Sequence, residues 1–215
     1  MSEKEVKLTL AQNFNSQHIE AAIEHYKNAQ YKFVTEEWDG VALKAGKFVE
    51  AITKALMIYC NKIVPAGRAF KAGQQLSQLS QTPNGSFPEE IRIVIPKACL
   101  FIYEIANNRG GRHDATEIDA NSMDATVILP VMSWILAEMV RLSSLSKNLI
   151  EAVNLIEELT RKIYPYFEEI DGRSYINIEK LSAPDYAILL LYHAYPHRIG
   201  RAELVESIIR HGISK

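Results

Sequence analysis

The sequence predicts a mainly α-helical protein that ends in a small extension of mixed α and β structure. Through most of the first 165 residues, apolar side chains recur at three- and four-residue steps, which is the spacing of one helix face. After that point the pattern changes to two short alternating segments around an Asp-Gly pair, which is typical of a β-hairpin. We therefore expect a helical bundle over residues 1–165 and an extension over residues 166–215.

The first two long helices are predicted to form a hairpin. After a polar N-terminal arm, an apolar stripe predicts a helix over residues 16–35. A second stripe begins near Gly40 and is stopped by Pro65, which cannot continue a helix. The short connection between the two helices favours antiparallel neighbours.

The middle of the chain predicts further helices separated by a polar loop. Residues 66–87 indicate a short helix and a loop, and Pro88 suits the first turn of a long helix that Pro96 is expected to kink. Residues 107–121 are rich in Asn, Gly, Asp and Thr and predict a loop. Two more helices are expected over residues 123–142 and 149–163.

The extension is predicted as a hairpin followed by two helices. Asp171-Gly172 favours a tight turn between strands within residues 166–178. Ser182 and Asp185 stand at the spacing of a capping box, which predicts the start of a helix there. A last helix is expected from Arg201 to Arg210.

Composition excludes several classes of protein. With 47% hydrophobic and 23% charged residues the chain is expected to fold, and a formal net charge of −2 excludes a protein that coats nucleic acid through bulk charge. Any contact with RNA must therefore be local. Cys60 and Cys99 are the only cysteines and lack metal-ligand spacing, so we expect neither a disulfide framework, a metal nor another cofactor.

The sequence also predicts a cytoplasmic protein with no membrane partner. The most apolar stretch, Val127 to Val140, is shorter than the roughly 20 residues that cross a bilayer. The charged N-terminus lacks the apolar segment of a secretory signal.

The predicted loop after the third long helix concentrates groups that bind and cleave phosphates. Arg109 and Arg112 present guanidinium groups that match phosphate geometry, and His113 can exchange a proton near neutral pH. Asn107 and Asn108 precede them and are candidate substrate-binding residues together with Arg112. We expect Arg109 and His113 to be the catalytic pair if the loop carries chemistry.

This arrangement resembles the HEPN superfamily of helical bundles. The resemblance covers about residues 15–150 and rests on Gly46-Lys47-Phe48-Val49-Glu50, on the segment Asn107 to His113, and on Met123-Asp124-Ala125. It implies a homodimer in which Arg and His of two protomers meet, and a metal-independent endoribonuclease of antiviral defence or of regulation. It implies that Arg109 anchors the phosphate and that His113 transfers the proton.

Two other interpretations of the loop stay open. The segment is also compatible with a solvated turn in which Arg109 and Arg112 pair with Asp114 or Glu117 and His113 caps the preceding helix. It is equally compatible with a ligand-binding or interface role without catalysis. The alternative for the whole chain is thus a non-catalytic helical assembly, or a subunit that binds a protein partner.

The extension offers a second candidate nucleic-acid site. Its order of hairpin, helix, turn and helix resembles part of a winged-helix module, in which Arg201 and Arg210 would be the residues that reach nucleic acid. The alternative is a helical cap with Leu189 to Leu191 in its core.

Overall fold

The computed structural model describes most of the chain, and the described part is mainly α-helical, as predicted. The residues described are 3–109, 118–143, 148–160, 166–170, 173–178, 181–195 and 198–212. The chain divides into two compact units, Met1–Arg161 and Lys162–Lys215.

The first unit is a helical bundle. Its α-helices within the described ranges are α1 (Glu3–Leu10), α2 (Ser16–Val34), α3 (Trp38–Tyr59), α4 (Ala72–Ser80), α5 (Ile95–Arg109), α6 (Ser122–Ser143) and α7 (Leu149–Thr160). The predicted hairpin of α2 and α3 is confirmed, and it is the most extensive helix pair of the unit. Asn15 begins α2 by accepting a hydrogen bond from the backbone N–H of His18, at 3.2 Å.

The prediction of a polar N-terminal arm is wrong, because residues 3–10 form α1. Val6 and Leu10 on this helix are fully buried and pack into the core of the bundle, where α1 meets α2, α6 and α7. A charged segment of eight residues gives too little periodicity to reveal a helix that tertiary packing stabilises.

The helix α6 lies at the centre of the unit and contacts α1, α2, α3, α5 and α7. At 22 residues it is longer than its most apolar stretch suggested, and by length and composition alone it could cross a membrane. More than half of its most apolar window is buried in the protein. Burial in a core therefore accounts for its apolar character.

A π-helical turn, Glu90–Val94, precedes α5. It stands where the sequence predicted a kink, because Pro96 offers no N–H and its ring clashes with the carbonyl four residues earlier in a regular helix. Arg92 on this turn is buried, and its Nη1 donates to the carbonyl oxygen of Thr82 at 2.8 Å. This bond fastens the segment after α4 to the bundle.

The second unit is small and has its own core. Strands β1 (Phe167–Ile170) and β2 (Arg173–Ile176) pair antiparallel, and helices α8 (Ala183–Ala194) and α9 (Arg201–Arg210) follow. The predicted capping box is confirmed, since Ser182 and Asp185 exchange hydrogen bonds between side chain and backbone. Ile176, Tyr186 and Leu190 form the centre of this core.

Candidate functional site

The residues Asn107, Asn108 and Arg109 form the last turn of α5, so the prediction that the loop begins at residue 107 is wrong. The Nδ2 of Asn108 donates to the backbone oxygen of Glu104 at 2.8 Å and to its Oε2 at 3.2 Å. These bonds continue the helix where the composition indicated a break. They also engage Asn108 with its own helix, while Asn107 is exposed.

Arg109 lies at the C-terminus of α5 and faces the start of α6. Its Nε is 3.7 Å from Oδ2 of Asp124, which is an ion pair longer than a hydrogen bond. The Arg109 side chain is 31% exposed and that of Asp124 is 9% exposed. A cation at this position is also favoured by the negative end of the α5 dipole.

Asp124 is fixed by the cap of α6. The Oδ1 of Asn121 accepts hydrogen bonds from the N–H groups of Met123 and Asp124, at 3.0 and 3.1 Å. In return, Oδ2 of Asp124 accepts the N–H of Asn121 at 3.3 Å. The same carboxylate oxygen therefore caps α6 and orients Arg109.

Sequence inspection did not single out Asp124 as the partner of Arg109. The available signal was the spacing of Asn121 and Asp124, which is that of a capping box with Asn and Asp in place of Ser and Glu. The spacing could have located the start of α6, but the identity of the cation that this carboxylate meets depends on the packing of α5 against α6.

Arg112 and His113 lie outside the described residues, as do Asp114 and Glu117. Their predicted roles stay predictions. The described part of the site thus comprises a partly exposed guanidinium at one helix end, a buried carboxylate at the next, and the exposed amide of Asn107.

The helix α3 runs past the end of α5. A Cβ placed on Gly46 would lie 3.7 Å from the Cβ of Ala106, which is ordinary van der Waals contact. Ala106 is one helical turn before the exposed end of α5. Gly46 thus marks the place where α3 passes close to the last turns of α5.

The two candidate residues of α9 differ in their environments. Arg201 begins the helix and is exposed. Arg210 is half-buried, since its Nη2 donates to Oγ of Ser207 at 2.6 Å and its guanidinium carbon lies 6.0 Å from the ring centroid of Tyr175. Arg210 is thus packed onto its own unit, and only Arg201 presents an outward charge.

Next to Arg210, the ring of His211 joins α9 to the hairpin. Its Nε2 accepts the N–H of Ile176 at 2.8 Å, while Nδ1 lies 2.7 Å from the carbonyl oxygen of Ser207. With Nε2 as the acceptor, Nδ1 is the ring nitrogen that can donate to Ser207. The bonds give this histidine a structural role.

Comparisons of the chain with protein-family models, with curated proteins and with solved structures find no match. Within the described ranges, no group of three or more His, Cys, Asp or Glu side chains is placed to hold a metal ion.

Proposed function

We propose that this chain is a HEPN-like, metal-independent endoribonuclease of defence or regulation, acting in the cytoplasm as a homodimer. The observation that supports the proposal is the setting of Arg109, a partly exposed guanidinium that a buried carboxylate holds at the end of α5. A charge fixed in this way is suited to anchoring a phosphate, because little rearrangement is needed when the anion arrives.

The proposed reaction is an internal transfer at phosphorus. The ribose 2′ oxygen forms a bond to the adjacent phosphorus, and its proton passes to the imidazole of His113. The bond from phosphorus to the 5′ oxygen breaks, and that oxygen takes up a proton. The products carry a 2′,3′-cyclic phosphate and a 5′ hydroxyl, while Arg109 stabilises the charge on the phosphoryl oxygens.

The test is cleavage of labelled single-stranded RNA by the full chain in EDTA. Wild-type protein should give products that end in 2′,3′-cyclic phosphate, and His113→Ala and Arg109→Gln should abolish them. Arg68→Gln, which removes an exposed arginine from another part of the bundle, is the matched control and should cleave normally. Absence of cleavage by the wild type would refute the proposal for this chain.

An assembly role is the second candidate, and a feature of α8 supports it. The helix buries Tyr186, Leu190 and His193, yet its opposite side is also apolar. The outward residues recur at helical spacing and are 47–71% exposed: Ile188, Leu191, Tyr192 and Tyr195. A helix that is apolar on two sides usually has a partner on each.

A second copy of the chain suits this outward face of α8. Between Ile188 and Tyr195 the face carries no charge, and Asp185, which precedes it on the same side, is engaged in the helix cap, so two copies of α8 can meet there. Leu191→Glu should therefore reduce the mass of the full chain measured by light scattering, whereas Ile63→Glu, at an exposed position of the first unit, should not. Equal masses for wild type and Leu191→Glu would refute this role.

A further inference from the structure

A row of lysine and histidine side chains follows the groove between α2 and α3. A Cβ on Gly40 would lie 3.0 Å from Cγ and Cδ of Lys32, which fixes how the two antiparallel helices are aligned. His25 stands seven residues before Lys32 on α2, and Lys47 stands seven residues after Gly40 on α3. His18 and Lys54 stand a further seven residues along each helix in the same directions. A step of seven residues keeps the same helix face, so the pairs form a ladder.

Electrostatic coupling across the groove agrees with this alignment. Burial and the charge of Lys54 lower the pKa of His18. Burial and the charges of Lys44 and Lys47 lower the pKa of His25, and the carboxylate of Glu24 opposes this effect. The charged groups of α3 therefore act on both imidazoles of α2.

The lysines of this groove lack a close carboxylate partner among the residues that the structure describes. Within the described part of the chain, no ion pair involves Lys44, Lys47 or Lys54. The Nζ of Lys54 lies 4.7 Å from the centroid of the Phe70 ring, which is a cation–π contact. The buried Nδ1 of His25 has no hydrogen-bond partner. The formal net charge of the chain is −2, so these lysines form a local concentration of positive charge.

We propose that this α2–α3 basic seam, comprising His18, His25, Lys44, Lys47 and Lys54, binds the sugar-phosphate backbone of single-stranded RNA. The choice of RNA rests on the proposed function. The need for an extended polyanion rests on the seam, because Lys44 and Lys54 stand ten residues apart on α3, which separates them by about 15 Å along the helix. Unpaired lysines in such a row bind phosphates without reading sequence.

The position of the seam connects it with the end of α5. Lys47 follows Gly46, where α3 passes close to Ala106 of α5, one turn before Arg109. A strand bound along the seam is thus led towards the candidate cleavage site. A membrane surface fits less well, since α2 and α3 direct their apolar faces into the core.

Binding is measured with a fluorescent 2′-O-methyl RNA, which keeps the phosphates but lacks the hydroxyl that cleavage requires. Relative to the full-length wild type, Lys47→Gln with Lys54→Gln should weaken binding about tenfold and reduce the salt slope by about 1.4, or 0.7 for each lost phosphate contact. Lys4→Gln with Lys97→Gln makes the same charge change at exposed positions elsewhere and should leave both quantities near the wild-type values.

A pH series supplies a readout that a purely structural role would not give. A bound phosphate offsets the lysine charges that lower the pKa values of His18 and His25, so binding should take up protons. The affinity should therefore rise from about pH 7.5 to about pH 6, and His18→Gln with His25→Gln should remove most of that rise.

The results separate this inference from the proposed function. Normal binding of the analogue with no cleavage of RNA supports the seam and refutes the ribonuclease. If the wild type cleaves RNA but the two double-lysine variants bind the analogue equally well, the seam is refuted and the ribonuclease proposal is not. Binding to anionic phospholipid vesicles or to an acidic peptide, without binding to the analogue, also overturns it.

Discussion

Arg109 at the end of α5 and Asp124 in the first turn of α6 are joined by an ion pair of 3.7 Å between Nε and Oδ2. The carboxylate oxygen also accepts the N–H of Asn121, so it belongs to the cap of α6. The sequence between these helices includes Arg112 and His113. Whatever those residues do, the helix ends on either side of them are connected through one carboxylate.

Replacing Asp124 should separate its two roles. Asp124→Ala removes the reciprocal cap and the ion pair and should lower the free energy of unfolding by about 1 kcal/mol. Asp124→Asn keeps an oxygen for the cap and should cost about 0.5 kcal/mol, because a pair with a partly exposed guanidinium contributes little. Urea unfolding measures both, with Asp119→Ala as an exposed acidic control. Equal losses in the free energy of unfolding for all three variants would contradict the dual role of Asp124 in the cap and in the ion pair.

The sequence allowed the long helices to be predicted, because their apolar residues cover one face over many turns. The capping box of Ser182 and Asp185 was also readable, since its signal lies within four residues. In contrast, α1 and the last turn of α5 were missed. The first is stabilised by contacts with α6 and α7, and the second by the hydrogen bonds of Asn108 to Glu104. The packing of α1 does not follow from local propensity, and the helical end of α5 runs against the usual preference of asparagine for loops.

The candidate site was only partly predictable for a related reason. Arg109 attracted attention through its neighbours in sequence, but its partner Asp124 comes from the next helix. In the sequence the basic seam shows only as the seven-residue spacing of His18 and His25, which by itself does not indicate a basic surface. Its lysines belong to α3, and the alignment of α3 with α2 is a property of packing that no single helix reveals.

Arg141 should be needed for the stability of the bundle, because it neutralises a buried carboxylate. Its Nε and Nη2 donate to both oxygens of Glu138, and Nη2 also donates to Glu90 at 2.9 Å. The hydrogen bond to Glu138 is the main cause that raises the pKa of Arg141. Arg141→Met should therefore lower the free energy of unfolding by about 2 kcal/mol, since it leaves a buried charge unpaired.

A second substitution tests this explanation of the Arg141 network. Glu138→Leu, added to Arg141→Met, removes the unpaired carboxylate and should restore most of the lost stability in the same urea assay. If the double variant is less stable than Arg141→Met, the cost lies in packing and not in charge.

The two glycines of α3 predict unequal gains in stability when a methyl group is added. At Gly46 a Cβ would make ordinary contact with Ala106, so Gly46→Ala should raise the free energy of unfolding by about 0.5 to 1 kcal/mol through helix propensity. At Gly40 the added Cβ would meet Lys32 at 3.0 Å, and Lys32 is paired with Glu37. Gly40→Ala should raise the free energy of unfolding by less than Gly46→Ala does. A larger increase at Gly40 than at Gly46 would contradict the described packing.

The histidines of α2 should make the stability of the bundle depend on pH. The pKa values of His18 and His25 are lowered from 6.5 by burial and by lysines of α3. As pH falls through about 6.5, the unfolded chain therefore binds protons before the folded chain does, and the free energy of unfolding decreases. The decrease stops growing once the folded histidines are protonated as well.

Urea unfolding at about pH 7.5 and about pH 5.5 should show a smaller loss of stability for His18→Gln with His25→Gln than for the wild type. Parallel losses would mean that neither burial nor the lysines lower the pKa values of these imidazoles, which would also remove the reason to expect proton uptake when a polyanion binds the seam.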